Sequence, residues 1–464
     1  MDARSPWFRF FAVDLRALAA VRIALGTIFV VDLSNRFALI PELYADSGVL
    51  PRALVPYGPF PGPAMWGGSV GFEQGLFLVG MLAGTAMAVG RFTRISTFVC
   101  WSIGVSLWWR HPGFLNGGDL ILVQLLFWSL FLPMDRVWSV RARPADEEPA
   151  THVLSFASAG ILLQMPLVYL FSVFQKIAGS GWLEGTASWY AASHELWARP
   201  FGHWVAENFP IAHTGFTYGT LAVEFMGPIL VFSPWATARM RMLVFLAFAG
   251  LQAGLGFSIV LWIFPFVSMT ALIPILPSEF FDRVSKPLAG GVIDGLPRDP
   301  RLKAALSVFC AVCLGYVVFS NVQRQTDWRP PRPINRAGRL LALNQGWVMY
   351  AKQAPWDQRL LVRGIDANGD ARWLDDWGET ASWPPYEKLR ESYRGRHYLQ
   401  RQAGHHIPPE VRGLTAWVCR TWNRSHRPDD RVETVELVEW SRTIPRDDTP
   451  RKIETQVVAR RVCS

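Results

Sequence analysis

Lysine is nearly missing from the first 285 residues, where Lys176 is the only one against sixteen arginines. Cysteine is scarce as well, five in 464 residues, too few for a scaffold built on disulfides. Charged residues make up only 18% and are segregated: hydrophobic runs fill residues 17 to 320 and charge concentrates beyond them. That distribution excludes an ordinary water-soluble fold over the first two thirds of the chain. Phosphate-binding loops, dinucleotide fingerprints, nucleophile elbows and zinc-protease motifs are all lacking, so no common cofactor or hydrolase chemistry is written in a local motif. Nor does the net charge of +9 point to nucleic acid, because 25 of the 46 basic residues follow residue 320 and are interleaved there with 18 acidic ones.

What the chain does have is apolar length. Nine apolar segments can be drawn, at 17 to 33, 71 to 89, 95 to 109, 119 to 133, 153 to 174, 215 to 233, 240 to 255, 257 to 276 and 303 to 320. They predict an all-α polytopic membrane bundle of eight or nine transmembrane helices, with a small α+β domain after it. Residues 1 to 16 hold an early acid and a short aromatic stretch instead of the basic-then-apolar order of a cleaved signal, and read as an interfacial segment. The bundle then covers 17 to 282, a linker and last helix 283 to 320, and the polar tail 321 to 464. Residues 252 to 256, Gln-Ala-Gly-Leu-Gly, are read as a turn or break between two helices.

Basic residues of alternate loops differ in number. Arg4, Arg9, Arg16, Arg91, Arg94, Arg136, Arg141, Arg143, Arg239, Arg241, Arg283, Lys286, Arg298 and Arg301 fall on one side, against Arg36, Arg52, Arg110, Lys176 and Arg199 on the other. The positive-inside rule puts the N-terminus in the cytoplasm of a cell (inner) membrane and the tail outside, periplasmic or extracellular. Lys176 then opens toward that outer side. Cys100, Cys310 and Cys313 lie in apolar spans as small hydrophobes, and the last two lack partners for a metal. Cys419 and Cys463 are an even pair in the tail whose bonding depends on a separation the sequence does not fix.

In the tail, residues 359 to 365 and 371 to 374 flank an Asn-Gly hairpin signal, helices are expected over 385 to 402 and 409 to 423, and residues 432 to 440 alternate like a half-exposed strand. Its tryptophans, at 347, 356, 373, 377, 383, 417, 422 and 440, pack a core or rest on a membrane surface. His405 and His406 are adjacent without further ligands and read as solvated.

Lys176 closes a long apolar run, Leu163-Gln-Met-Pro-Leu-Val-Tyr-Leu-Phe-Ser-Val-Phe-Gln-Lys176. Burial disfavours the ammonium, so such an amine either becomes a neutral base or snorkels to the headgroups. Residues 182 to 197 follow as an amphipathic segment whose aromatics, among them Trp189 and Tyr190, mark an interface or wall a quinone or lipid pocket with Trp182 and Glu184.

Several stretches taken in order resemble the HTTM family, membrane proteins related to vitamin K-dependent gamma-glutamyl carboxylase. They are Arg22 and Asp32 with Tyr44-Ala-Asp-Ser-Gly48, Asn116-Gly-Gly-Asp119, Trp138-Ser139, Gln175-Lys176 with Trp182-Leu-Glu-Gly-Thr186, then Glu224 and Phe264-Pro265. The resemblance covers about residues 15 to 282. It implies a carboxylase-like lyase using a quinone or reduced vitamin K, with Lys176 as the catalytic base that begins oxygenation. Arg22, Asp32, Asn116, Asp119 and Glu224 become candidates for one intramembrane polar cluster, serving either chemistry or helix pairing. Two other readings stand beside this one: a non-catalytic lipid-binding or scaffold protein whose tail meets an extracytoplasmic protein partner, and a transporter, whose internal repeats the chain lacks. Membrane lipid is the partner common to all three.

Overall fold

The computed structural model describes residues 6–55, 62–114, 116–141, 148–326, 328–347, 351, 355–375, 383–446 and 449–463. Arg4, Arg143 and Trp377 lie outside them. The molecule is mostly helical, and each of the nine apolar segments falls on a helix: α1 (Leu15–Phe37), α2 (Val70–Val89), α3 (Thr93–Arg110), α4 (Gly117–Ser129), α5 (Phe156–Ile177), α6 (Pro210–Leu230), α7 (Thr237–Ser258), α8 (Phe264–Leu272) and α9 (Pro300–Gln323). Among the described residues five of these, α1, α2, α5, α7 and α9, are long and apolar enough to cross a membrane. A sixth candidate is the bent pair Phe264–Ile275 and Ser278–Val284, kinked by 105°.

Local chemistry sets the helix starts. The Asp14 carboxylate caps α1 through Arg16 N, Asn116 and Asp119 form a reciprocal capping box at α4, and Ser155 with Ser158 does the same for α5. Helix α5 is largely buried at the centre, whereas α7 and α9 leave most of their apolar surface facing outward. Outward apolar faces are what a lipid environment accepts.

One expectation is corrected here. Helix α7 runs unbroken through residues 252 to 256, and the chain breaks instead after Ser258, where Ile259 forms a bridge to Ala198. The glycines do not end the helix because each costs it only about 1 kcal/mol, less than leaving backbone polar groups unbonded in hydrocarbon.

At the end rich in basic residues, three short strands tie the chain together: β1 (Val13–Asp14) pairs antiparallel with β2 (Ala150–Val153), which pairs parallel with β3 (Gly291–Ile293). At the other end the tail forms an antiparallel sheet of four strands, β4 (Trp356–Ile365), β5 (Ala371–Asp375), β6 (Thr434–Thr443) and β7 (Ile453–Val462), in the order β5-β4-β6-β7. Helices α10 (Tyr393–His405) and α11 (Pro408–Ser425) pack on it. The helix expected over 385 to 402 is in fact two, divided at Ser392, whose extended backbone lets its hydroxyl cap α10 through Gly395 N. Strand β7 has no counterpart in the sequence reading, because its mostly exposed residues, half of them apolar, do not alternate. Trp347, Trp383, Trp417 and Trp422 are buried in the tail, while Trp356 is exposed. A disulfide joins Cys419 on α11 to Cys463 just beyond β7.

Candidate functional site

Helices α5, α6 and α7, with the segment between residues 182 and 205, enclose a cavity of about 560 Å³. That volume falls within the usual range of small-molecule sites, roughly 300–1,000 Å³. Its walls are overwhelmingly apolar, and Lys176 and Glu224 are its two charged lining residues. Lys176 Nζ donates to Glu224 Oε2, both side chains being buried. Ser172 Oγ, one helical turn before Lys176 on α5, lies 3.0 Å from the same carboxylate oxygen. The ring of Trp182 covers the amine, 4.8 Å from Nζ to the ring centroid. Four residues thus hold one amine and one carboxyl in contact within hydrocarbon surroundings, where the pair carries no net charge.

Farther along the cavity, Gln252 Nε2 donates to Tyr169 Oη at 2.7 Å, and the Tyr169 ring stacks on Phe248 with centroids 4.1 Å apart. Toward the start of α6, His213 Nδ1 lies 2.8 Å from Ser188 Oγ. His213, Thr217, Thr220 and Glu224 follow one another at spacings of three and four residues, so they share one face of α6.

The sequence candidates divide among three places. Glu224 meets Lys176. Asp32 and Asp119 meet each other through two arginines: Arg36 donates to both, at 2.6 Å to Asp119, and Arg394 from the tail donates to Asp32 at 2.7 Å and to both oxygens of Asp119. Asn116 holds Asp119 by its capping box, and Trp262 Nε1 reaches Asp32 at 3.0 Å. Arg22 joins neither group. It lies at the opposite end of α1, ten residues or about 15 Å from Asp32, and donates to the Trp138 carbonyl. A single polar cluster is therefore corrected to two, with Arg22 outside both.

The expected pocket wall is corrected too. Trp182 lines the cavity, whereas Glu184 is exposed and Trp189 and Tyr190 lie off it, the indole of Trp189 donating to the Ala206 carbonyl. Residues the sequence reading passed over are Ser172, Tyr169, Ser188, His213, Arg36 and Arg394. Arg36 stands one turn after Asp32, a legible ion-pair spacing. Nothing in the sequence links Arg394 to residues some 275 positions earlier.

In the tail, burial works against the Arg394 guanidinium, but Asp119 and Asp32 outweigh it and hold its pKa well above the ordinary value. Beside it His397 is lowered to about 4, by burial first and then by Arg394 and Arg401. The two-carboxylate, two-guanidinium knot is balanced in charge and joins tail to helices.

A family model, HTTM domain, matches residues 10–279. The chain belongs to the HTTM family. The HTTM domain occurs in vitamin K-dependent carboxylase and related proteins, and here it contains the whole cavity and the carboxylates of the knot, while Arg394 comes from outside it. No curated protein and no solved structure matches the chain.

Proposed function

We propose that this HTTM protein is a multi-pass membrane enzyme of the carboxylase-like class, with Lys176 as the base in a lipid-facing cavity. The observation that carries the reading is the Lys176 and Glu224 pair set into a predominantly apolar chamber. A paired amine and carboxyl sharing protons can take one from a weakly acidic hydroxyl while the site stays nearly neutral. Ser172 holds the carboxylate, and Trp182 excludes water from the amine.

The lining suits a reduced quinone: apolar walls fit its ring and chain, and Lys176 Nζ with Glu224 fits a ring hydroxyl. Such a group would supply the acidic hydroxyl and the reducing electrons. With its own proton passed to Glu224, Lys176 would receive the hydroxyl's proton at Nζ, its ammonium would balance the anion formed, and Glu224 would orient the amine. The tail and the Lys176 end of α5 share the end opposite the basic loops, which supports a cytoplasmic N-terminus and an outer tail. It also supports nine helices in the bundle, the short ones held among the long.

A second reading, a lipid-binding protein without turnover, draws on the same almost wholly apolar wall. Protein in lipid nanodiscs, given a reduced naphthoquinone, oxygen, labelled bicarbonate and a glutamate-bearing peptide to accept the carboxyl group, separates them. The enzyme consumes oxygen or fixes label, and loses at least about a hundredfold in rate, the scale of a removed general base, in Lys176→Arg, since arginine stays charged. Unchanged turnover in Lys176→Arg would sink the assignment of the base.

A further inference from the structure

Helices α6 and α7 separate where they flank the cavity. Gly215 and Gly219 on α6, and Gly250 and Gly254 on α7, all line it, all are exposed, and a Cβ placed on any of them would meet nothing within 4 Å. The spacing of four puts each pair on one helical face. Lower down the same two helices touch, and a side chain at Gly227 would strike the Phe248 ring. The gap is therefore local and sits beside the cavity, on the side of an outward-facing apolar helix.

Two residues that line the cavity beside this gap carry buried acceptors without a partner among the described residues. His213 is 4% exposed, and its Nε2 is one of them. Ser188 Oγ lies 2.9 Å from the His213 carbonyl and 2.8 Å from Nδ1. One hydroxyl proton serves both contacts only if it goes to the carbonyl and Nδ1–H donates to Oγ. That tautomer leaves Nε2 a bare lone pair. Gln252 is 2% exposed, its amide nitrogen is spent on Tyr169, and its Oε1 likewise has no partner. Unmet acceptors at such depth cost free energy that a donor on a bound molecule would recover.

We propose that the gap between α6 and α7 is a lateral portal through which the hydrocarbon chain of a hydroxyl-bearing membrane lipid enters, its hydroxyl donating to His213 Nε2 or Gln252 Oε1. This deepens the reading of the cavity as a ligand site and does not depend on turnover. The four glycines supply the width a chain needs, and the donor head distinguishes the ligand from bulk acyl chains.

The test uses full-length protein in nanodiscs and a hexadecanol carrying a diazirine near its chain end. Photolabel should map to the peptides containing residues 215–219 and 250–254. Gly219→Leu with Gly250→Leu, filling open space, should lower labelling at least about tenfold, while the alanine pair keeps it. His213→Phe or Gln252→Leu should cost about tenfold in affinity, one lost hydrogen bond. The matching hydrocarbon without a hydroxyl should label weakly. Label confined to other helices, equal labelling in the leucine variants, equal labelling by the hydrocarbon, or indifference to both acceptor variants would overturn the proposal. If the leucine pair does not fold, the wild-type map decides. Lys176→Arg should keep the label, so failure of the portal and failure of the base register separately.

Discussion

Lys176 stands out in the sequence because nothing like it occurs for hundreds of residues, and Glu224 is legible there as one of several acids within apolar spans. Which of those acids meets the amine is decided only when α5 and α6 are placed side by side, 48 residues apart. The sequence therefore marks both groups without pairing them, whereas the fold gives the amine a carboxylate, a serine and an indole. This changes what a substitution does. Lys176→Met strands a buried carboxylate and should cost about 3–5 kcal/mol, read as a lowered unfolding temperature in detergent. Lys176→Met combined with Glu224→Gln removes both charges and should recover most of that loss. Equal stability of the single and double variants would mean the two groups do not meet.

Among elements, legibility follows periodicity. Long apolar runs become helices because a polar backbone in hydrocarbon must bond to itself, and the hairpin at residues 366 to 370 forms where Asn-Gly stands, with Gly369 at positive φ. Breaks are harder. Glycines at 250, 254 and 256 look like punctuation, yet they lie within α7, the first two facing open space and the third near Pro265, and the break follows at Ser258. Strand β7 escapes notice because it is an exposed edge strand without apolar alternation that owes its place to pairing with β6 along nearly its full length. The disulfide between Cys419 and Cys463 pins that edge to α11. Closing a 44-residue separation is worth about 4 kcal/mol by chain entropy. Cys419→Ala with Cys463→Ala should thus raise hydrogen exchange at β7 amides well above that at β4, while leaving α1 unchanged. Uniform exchange across the sheet would contradict this.

For the whole molecule, the knot of Asp32, Asp119, Arg36 and Arg394 decides how the parts cohere. Arg394→Met leaves two buried carboxylates to one guanidinium and should cost about 3–5 kcal/mol. Arg394→Lys should recover only part, because a point charge cannot match the forked contact to Asp119 and Asp32. The loss should appear as separate thermal transitions for tail and helices where the native chain gives one. A single transition at the native temperature in Arg394→Met would show the knot to be dispensable.

Arg394 also fixes an order of events. During synthesis α1 and α4 are complete hundreds of residues before the guanidinium that balances them leaves the ribosome. Until then their two acids share only Arg36. The newborn bundle is thus held one cation short, and a nonsense mutation between the end of α4 and codon 394 leaves it so permanently, the defect lying in the helices rather than at the severed end.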